Sequence, residues 1–450
     1  MIKVAPGTEI TEKLVTKIIE KFKLSYLPRF KHLENYYLVE NKIRSRQMDS
    51  SKPNNKLSHG FAKYISNMAT SFFMGEGIRM DIEDEEYKDN LTELLLRSNI
   101  DDTNFEISKE MSKCGIAFEL LYMNEKAEIC FKKFKAEDII PVYSSSVSEF
   151  LEFAIRIWSD CDLLTGKTVE YAEVYTKSKI IKFKKDSKWN KYKSDGEALH
   201  NFQDVPIIVY WNNEERKSDY EDIISLIDAY DKSQSDTAND FEYFTDAYLV
   251  LNGASGFTKE GGADEDEQNA IQTLKNERVM LLDENGQASW LIKNINDTAV
   301  ENFKNRIYEN IFFLSQVPAL SDESFAGNLS GVAIRYKLIG LEQLATMKEN
   351  KFLPAYKKKL RLITKQLNTK LNRVYDAHSI EVIFDRNMTD NLKELAEVAY
   401  TLTGIASRET LLSMLPFVDD VQEEMEKIRA EKVQEGDYDN LGNIDVSTNE

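Results

Sequence analysis

The chain has 450 residues, a formal net charge of −19, 42% hydrophobic residues and 11% aromatic residues. That size and apolar content allow several domains around a buried core and exclude general disorder. The acidic excess excludes tight, groove-filling nucleic-acid binding, which needs Lys and Arg to neutralise phosphates.

Residues 8–47 read as helix and contain the basic cluster Lys42-Ile43-Arg44-Ser45-Arg46. Pro53-Asn54-Asn55-Lys56 breaks that pattern before a second amphipathic stretch from Phe61 to Gly75. A helix over 101–113 leads to two predicted strands, Phe118–Tyr122 and Glu128–Phe134, joined by a short polar turn. Further strands are predicted at Phe153–Trp158, Val169–Tyr175, Ile180–Phe183 and Val205–Tyr210. Residues 1–218 thus read as an α+β region. Leu163-Leu164-Thr165-Gly166-Lys167-Thr168 imitates the end of a phosphate loop, but Cys161 stands where the first glycine has to be. The segment joins two predicted strands and reads as a hairpin turn.

A long helix starts near Tyr220 and carries Ile223, Ile227, Tyr230, Phe241, Phe244 and Tyr248. Its middle, Asp231 to Asp240, has one apolar residue in ten. A helix polar nearly all round spans between domains or packs against copies of itself. Residues 252–295 interrupt the helical pattern with several glycines and the acidic run Asp264-Glu265-Asp266-Glu267. Val279–Leu282 and Ala288–Ile292 flank Asn285-Gly286, a hairpin signal because both turn residues accept positive φ. Helix resumes with Val300, Phe303, Ile307, Ile311 and Leu314, and stops at Val317-Pro318.

Residues 316–331 then form a polar, glycine-containing loop. Its apolar residues are Leu320, Phe325 and Leu329; Asn328 and Ser330 offer hydrogen bonds, and Gly327 and Gly331 allow wide backbone excursions. From Val332 to Tyr375 a helix of about 44 residues, roughly 66 Å long, contains Pro354, which is expected to kink it. Beyond Pro354 lies a basic half: Lys357, Lys358, Lys359, Arg361, Lys365, Lys370 and Arg373. Such a run fits a solvated face paired with acidic neighbours, an adjacent acidic subunit, or DNA. Ile380–Phe384 reads as a strand and 390–435 as a helical module broken at Leu415-Pro416. After Glu435 no hydrophobic pattern remains, and disorder is expected.

Three stretches carry a resemblance: Asn54-Asn55-Lys56-Leu57 through Met74-Gly75, LIDAYDKSQSDTANDFEYFTDAYLVL (226–251), and the 294–345 block around the loop. They resemble the portal proteins of tailed bacteriophages, in the branch typical of long-tailed phages of Gram-positive hosts. The resemblance runs from about Tyr36 to Val418. It implies a ring-forming, predominantly helical α+β fold. Its parts would be a wing (1–218), a stem helix (219–251), a clip (252–295), a second stem helix (296–315), a tunnel loop (316–331), a long wing helix and strand (332–387), a crown (388–435) and an acidic tail (436–450). The implied function is a ring of about 12 subunits at one capsid vertex, which conducts double-stranded DNA and nucleates head assembly. Implied partners are other copies of the chain, the terminase large subunit, a head-completion or adaptor protein, and the major capsid and scaffolding proteins. Assembly would take place in the host cytoplasm and the product would reside in the virion. Leu320, Phe325, Gly327, Asn328, Ser330 and Gly331 would contact DNA in the channel, and Asp264, Glu265, Asp266 and Glu267 would dock clip partners.

Enzyme chemistry finds no foothold. His32, His59, His200 and His378 are scattered and make no HExxH or triad pattern. The acidic run lacks the glycine and spaced ligands of a calcium loop. Cys114, Cys130 and Cys161 fit neither a disulfide framework nor a zinc site. No cofactor is expected. No signal peptide is read at the N-terminus, and no run approaches the ~18 apolar residues of a membrane span. The competing readings are another minor structural capsid protein, or a packaging enzyme, which would need a phosphate loop and a carboxylate–metal site.

Overall fold

A computed structural model describes residues 1–50, 52–186, 189–244, 248–252, 287–291, 297–320, 331–386, 392–415, 418 and 420–441. The chain opens with β1 (Ile2–Val4), α1 (Glu12–Ser25) and α2 (Leu27–Tyr37). The single helix expected over 8–47 is therefore two helices and a 3-10 turn, Lys42–Ser45. Pro28 is the physical reason for the break: it sits in the first turn of α2, where its missing N–H costs nothing. Next come α3 (Phe61–Met74), β2 (Ile78–Asp81), α4 (Glu85–Arg97) and α5 (Ile100–Cys114). The side chain of Asp84 caps α4 by accepting from Tyr87 N at 3.0 Å. Gly115 ends α5 at φ +78°, and a Cβ there would sit 2.2 Å from the carbonyl oxygen of Arg216, so only glycine fits.

The strands β3 (Ile116–Met123), β4 (Ile129–Phe134), β5 (Ile139–Ser144), β6 (Leu151–Cys161), β7 (Thr168–Tyr175), β8 (Lys179–Asp186), β9 (Lys191–Leu199) and β10 (Ile207–Trp211) follow. They make two sheets. One has the order β1-β5-β6-β7-β8-β9, antiparallel except for β1 with β5. The other has the order β10-β3-β4. The smaller sheet is the wall between two cores. Ile116, Phe118 and Leu120 face the core shared with α1 and the large sheet. Ala117 and Leu121 face the helical core of α3, α5 and the long helix described below. Burial on both faces explains why Ile116 to Leu121 are apolar except for Glu119, a buried carboxylate paired with Lys359.

The chain continues with α6 (Ile224–Phe244), β11 (Tyr248–Asn252), β12 (Gln287–Leu291), α7 (Asp297–Ser315) and α8 (Gly331–Leu371). It ends with β13 (Glu381–Phe384), α9 (Leu392–Thr401), α10 (Arg408–Ser413) and α11 (Val421–Leu441). β13 returns to pair with β2, tying the end of α8 to the N-terminal helices. Two expectations change here. Tyr248–Leu251, expected at the end of the stem helix, is strand, and β12 pairs with it antiparallel. The anticipated hairpin partner of β12, 279–282, lies outside the described residues. Helix α11 also continues six residues past Glu435, into the segment expected to be disordered. The assigned helix α8 is continuous through Pro354.

Candidate functional site

The residues around α6 and α7 form the candidate site. Helix α6 was expected to be polar because it spans or self-associates; the structure shows that its own chain covers one polar face. Asp228, Asp231, Ser235, Asn239 and Glu242 recur at three- and four-residue steps and so share one side of the helix. Asp228 accepts from the Tyr36 hydroxyl at 2.6 Å. Asp231, fully buried, accepts from Asn41 Nδ2 at 2.6 Å and from His59 N at 3.0 Å, and lies 2.7 Å from His59 Nδ1. Ser235 Oγ accepts from Leu57 N at 2.9 Å, and Asn239 Oδ1 from Asn55 N at 2.7 Å. Glu242 accepts from Asn55 Nδ2 at 2.8 Å, and Arg46 pairs with Asp236 at 2.6 Å. The side chains of α6 thus satisfy backbone donors of an extended segment that has no strand partner of its own. The spacing Asp231, Ser235, Asn239 was visible in sequence; the segment that meets it was not.

The other faces of α6 and α7 meet α3 through aromatic rings. Phe61 lies 5.1 Å from Tyr230 and 5.9 Å from Phe312, and Tyr308 lies 4.8 Å from Phe312, all edge-on. Tyr64 joins this cluster, 5.6 Å from Phe312. Its hydroxyl donates to the Pro318 carbonyl at 3.0 Å and accepts from Leu320 N at 3.1 Å. One phenol therefore pins both sides of the loop's entry. Gln316, at φ +60°, turns the chain out of α7, and Gly340 of α8 comes so close that a Cβ would meet the Gln316 carbonyl at 3.1 Å. Val317 is buried beside this contact. Tyr64 was not singled out from sequence, because an aromatic at helical spacing reads as core.

Of the loop residues expected to matter, Leu320 is described and is 49% exposed, and Gly331 is the first residue of α8. Phe325, Gly327, Asn328 and Ser330 lie outside the described residues, as do Asp264, Glu265, Asp266 and Glu267.

Much of the basic run from Lys357 to Arg373, which outlasts α8 because the helix ends at Leu371 and not at Tyr375, is engaged within the chain. Lys359 is fully buried against Glu119 at 2.6 Å. Lys358 and Arg361 lie 4.0 and 3.5 Å from Asp204, and Arg373 lies 2.8 Å from Glu86. Lys357, Lys365 and Lys370 remain exposed. The acidic partners belong to the same chain, so the locally paired reading holds for these four residues, although Lys359 is buried and not solvated. The Leu163–Lys167 segment is the turn between β6 and β7, as expected. The Asp162 carboxylate accepts from Leu164 N at 2.9 Å and Thr165 Oγ1 at 2.6 Å, which closes the turn on itself. Among the described residues no cluster of three metal-ligating side chains occurs, and no helix is long and apolar enough to cross a membrane. The three cysteines are free.

The family model described as "Phage portal protein, SPP1 Gp6-like" matches residues 16–438. The portal protein of Bacillus phage SPP1 is 25% identical over 425 residues, covering 89% of this chain and 82% of that protein. The portal protein of Clostridium phage phiCD119 is 27% identical over 421 residues, covering 86% of this chain and 88% of that protein. Among solved structures, a chain in the neck of an empty GTA particle, computed with C6 symmetry, aligns with a TM-score of 0.47 at 10% identity, over 86% of this chain and 94% of that one. With a family match that extends over nearly the whole chain and includes α6, α7 and the loop that follows α7, this chain belongs to the phage portal protein family.

Proposed function

We propose that the chain is one subunit of a closed ring of about a dozen copies at one capsid vertex, through which double-stranded DNA enters and leaves. The observation that supports this most directly is a second apolar face on α7 and α8. On α7 the stripe Lys304, Ile307, Ile311 and Ser315 is buried, while Phe303, Phe313 and Leu314 on another side are exposed, Phe313 by 79%. On α8, Leu341, Ala345 and Lys348 are buried, while Tyr336, Ile339 and Met347 point away from them, Tyr336 71% exposed. A helix apolar on two sides needs two partners, and the fold provides one. A neighbouring copy offers the second in a head-to-tail contact that closes by rotation.

In this reading the clip segment 252–295, with Asp264, Glu265, Asp266 and Glu267, docks the terminase and the head-completion protein. The wing meets capsid and scaffolding proteins. The 316–331 loops, anchored by Tyr64, contact DNA through Phe325, Asn328 and Ser330, while the terminase supplies ATP hydrolysis. Native mass spectrometry of the purified chain tests the core claim. A discrete closed oligomer is expected for the wild type, and Phe313→Asp with Tyr336→Asp shifts the population to monomers. A wild-type chain that stays monomeric at every concentration removes the ring reading, and ATP hydrolysis by the pure chain removes the division of labour.

A further inference from the structure

The turn between β6 and β7 has a property that the portal reading leaves unused. Strand β8 pairs with β7 from Tyr171 to Tyr175, whereas β6 and β7 continue as a bare pair through Ser159–Glu170, Asp160–Val169 and Cys161–Thr168. The hairpin therefore projects past the sheet by three residue pairs, roughly 10 Å. At its tip Leu163 and Leu164 are 95% and 97% exposed. Turn tips are ordinarily polar, and two adjacent bare leucines form a knob that favours burial.

A cavity of about 430 Å³ lies elsewhere on the same wing, under the β1–β5 edge of the sheet, between α1, α2 and the wall sheet. Its floor is apolar, with Phe22, Phe30, Ile116, Phe118 and Ile140. That volume falls within the ~300–1,000 Å³ typical of pockets that enclose a sizeable group. The side chains at its mouth are Arg29, Arg216 and Lys217 against Glu215 and Glu221, an excess of one positive charge (3 − 2). The flanks of the knob carry Asp160 and Asp162 against Lys167, an excess of one negative charge (2 − 1). Knob and pocket are thus both apolar at the centre and opposite in charge at the rim.

We infer that the Leu163-Leu164 knob of one copy seats in this wing cavity of the next copy around the ring, as a second intersubunit contact distant from the stem. The inference rests on the ring reading. Two different patches of one chain in contact make a heterologous interface, the kind that generates a closed ring.

Cys161, exposed two positions before the knob, makes the contact testable on assembled protein. With Glu215→Cys at the pocket mouth, a short bis-maleimide is expected to link neighbours into covalent ladders up to the full ring. Cys161→Ser in the same background abolishes the ladder, whereas Cys130→Ser, which removes the half-buried thiol, leaves it intact, and Cys114 is buried. In parallel, Leu163→Asn with Leu164→Asn leaves the thermal unfolding of the monomer unchanged and raises the concentration needed for ring formation about tenfold or more. Rings that form without cross-links and tolerate the double leucine variant overturn this contact and leave the portal ring standing. Normal rings that lose only capture of capsid or scaffolding protein assign the knob to that partner and likewise overturn it. A wild-type chain that never forms rings removes the portal reading itself.

Discussion

Lys359 and Glu119 meet with both side chains fully buried, and the Tyr210 hydroxyl donates to the second carboxylate oxygen at 2.8 Å. Burial pushes the Lys359 ammonium down and the Glu119 carboxylate opposes that push. Lys348 repeats the arrangement eleven residues earlier, about three turns along α8, where it contacts Asp219 at 2.6 Å. Two such anchors on one helix face tie α8 to β3 and to the chain just before α6, at a desolvation cost that offsets much of their attraction. Lys359→Met, which strands Glu119, is expected to cost about 3–5 kcal/mol in denaturant unfolding. Adding Glu119→Leu recovers most of that loss, and a double variant as unstable as the single one refutes the account. A different carboxylate, on β7, gives the large sheet an acid-sensitive contact. Burial alone would raise Glu170, but hydrogen bonds from Lys185, Lys23 and Tyr192 hold it at about 2 against an ordinary 4.5. Because the folded value is the lower one, its contribution is present above pH 4.5 and is lost as pH falls towards 2. Glu170→Gln is expected to be less stable than wild type by about 1–2 kcal/mol at pH 7, with the gap closing across that acid window. A gap that stays constant down to the lower limit removes Glu170 as the titrating group.

At the level of elements, α6 shows what periodicity reveals and what it hides. The helix and its polar middle were legible, but a polar face has many possible partners. Here the partner is the backbone of Asn55 to His59, whose amides leave no mark in sequence. For the same reason β9 was missed: most of its side chains are exposed, and it is held by its ladder to β8. The reading of the 248–251 end failed because its apolar run suits a strand as well as a helix, and pairing with β12 decided it. Ser235→Ala and Asn239→Ala should each cost about 1–2 kcal/mol by leaving a backbone donor without its acceptor. Hydrogen exchange localises the effect: the amides of Leu57 and Asn55 should lose protection, with those of α3 unchanged. Uniform loss across α3 would mean that the ladder is a general packing feature rather than a clamp on the stem. The loop permits a similar discrimination. Proline is well tolerated at the first position of a helix, and Gly331 occupies that position in α8. Gly327→Pro is therefore the informative variant. If loop mobility matters it blocks DNA retention with rings intact, while Gly331→Pro stays near normal. Full-length genomes retained by the Gly327 variant make the loop a spacer.

For the whole molecule, the architecture was legible because two long helices interrupted by a small insertion and a loop are rare in a compact enzyme domain. The charge distribution was less so. Composition showed a net −19 and a basic run on the longest helix, and left open whether those cations serve DNA. The structure places four of them against three acids of the same chain, with one of the four fully buried, so most of that charge is already offset. The exposed cations outside those pairs, Lys357, Lys365 and Lys370, are outweighed by the acidic excess of the whole chain. A conduit benefits from this balance. DNA binding that releases many counterions is tight, salt-dependent and resists sliding, whereas a weakly repelling lining lets the duplex move. The purified ring is therefore expected to bind duplex DNA weakly, with affinity changing less than about tenfold between 50 and 200 mM salt. Lys357→Glu, Lys365→Glu and Lys370→Glu together should leave packaging unchanged. A steep fall in affinity with salt, abolished by that triple replacement, would show that these lysines face the duplex, and that the channel holds DNA by charge instead of letting it pass.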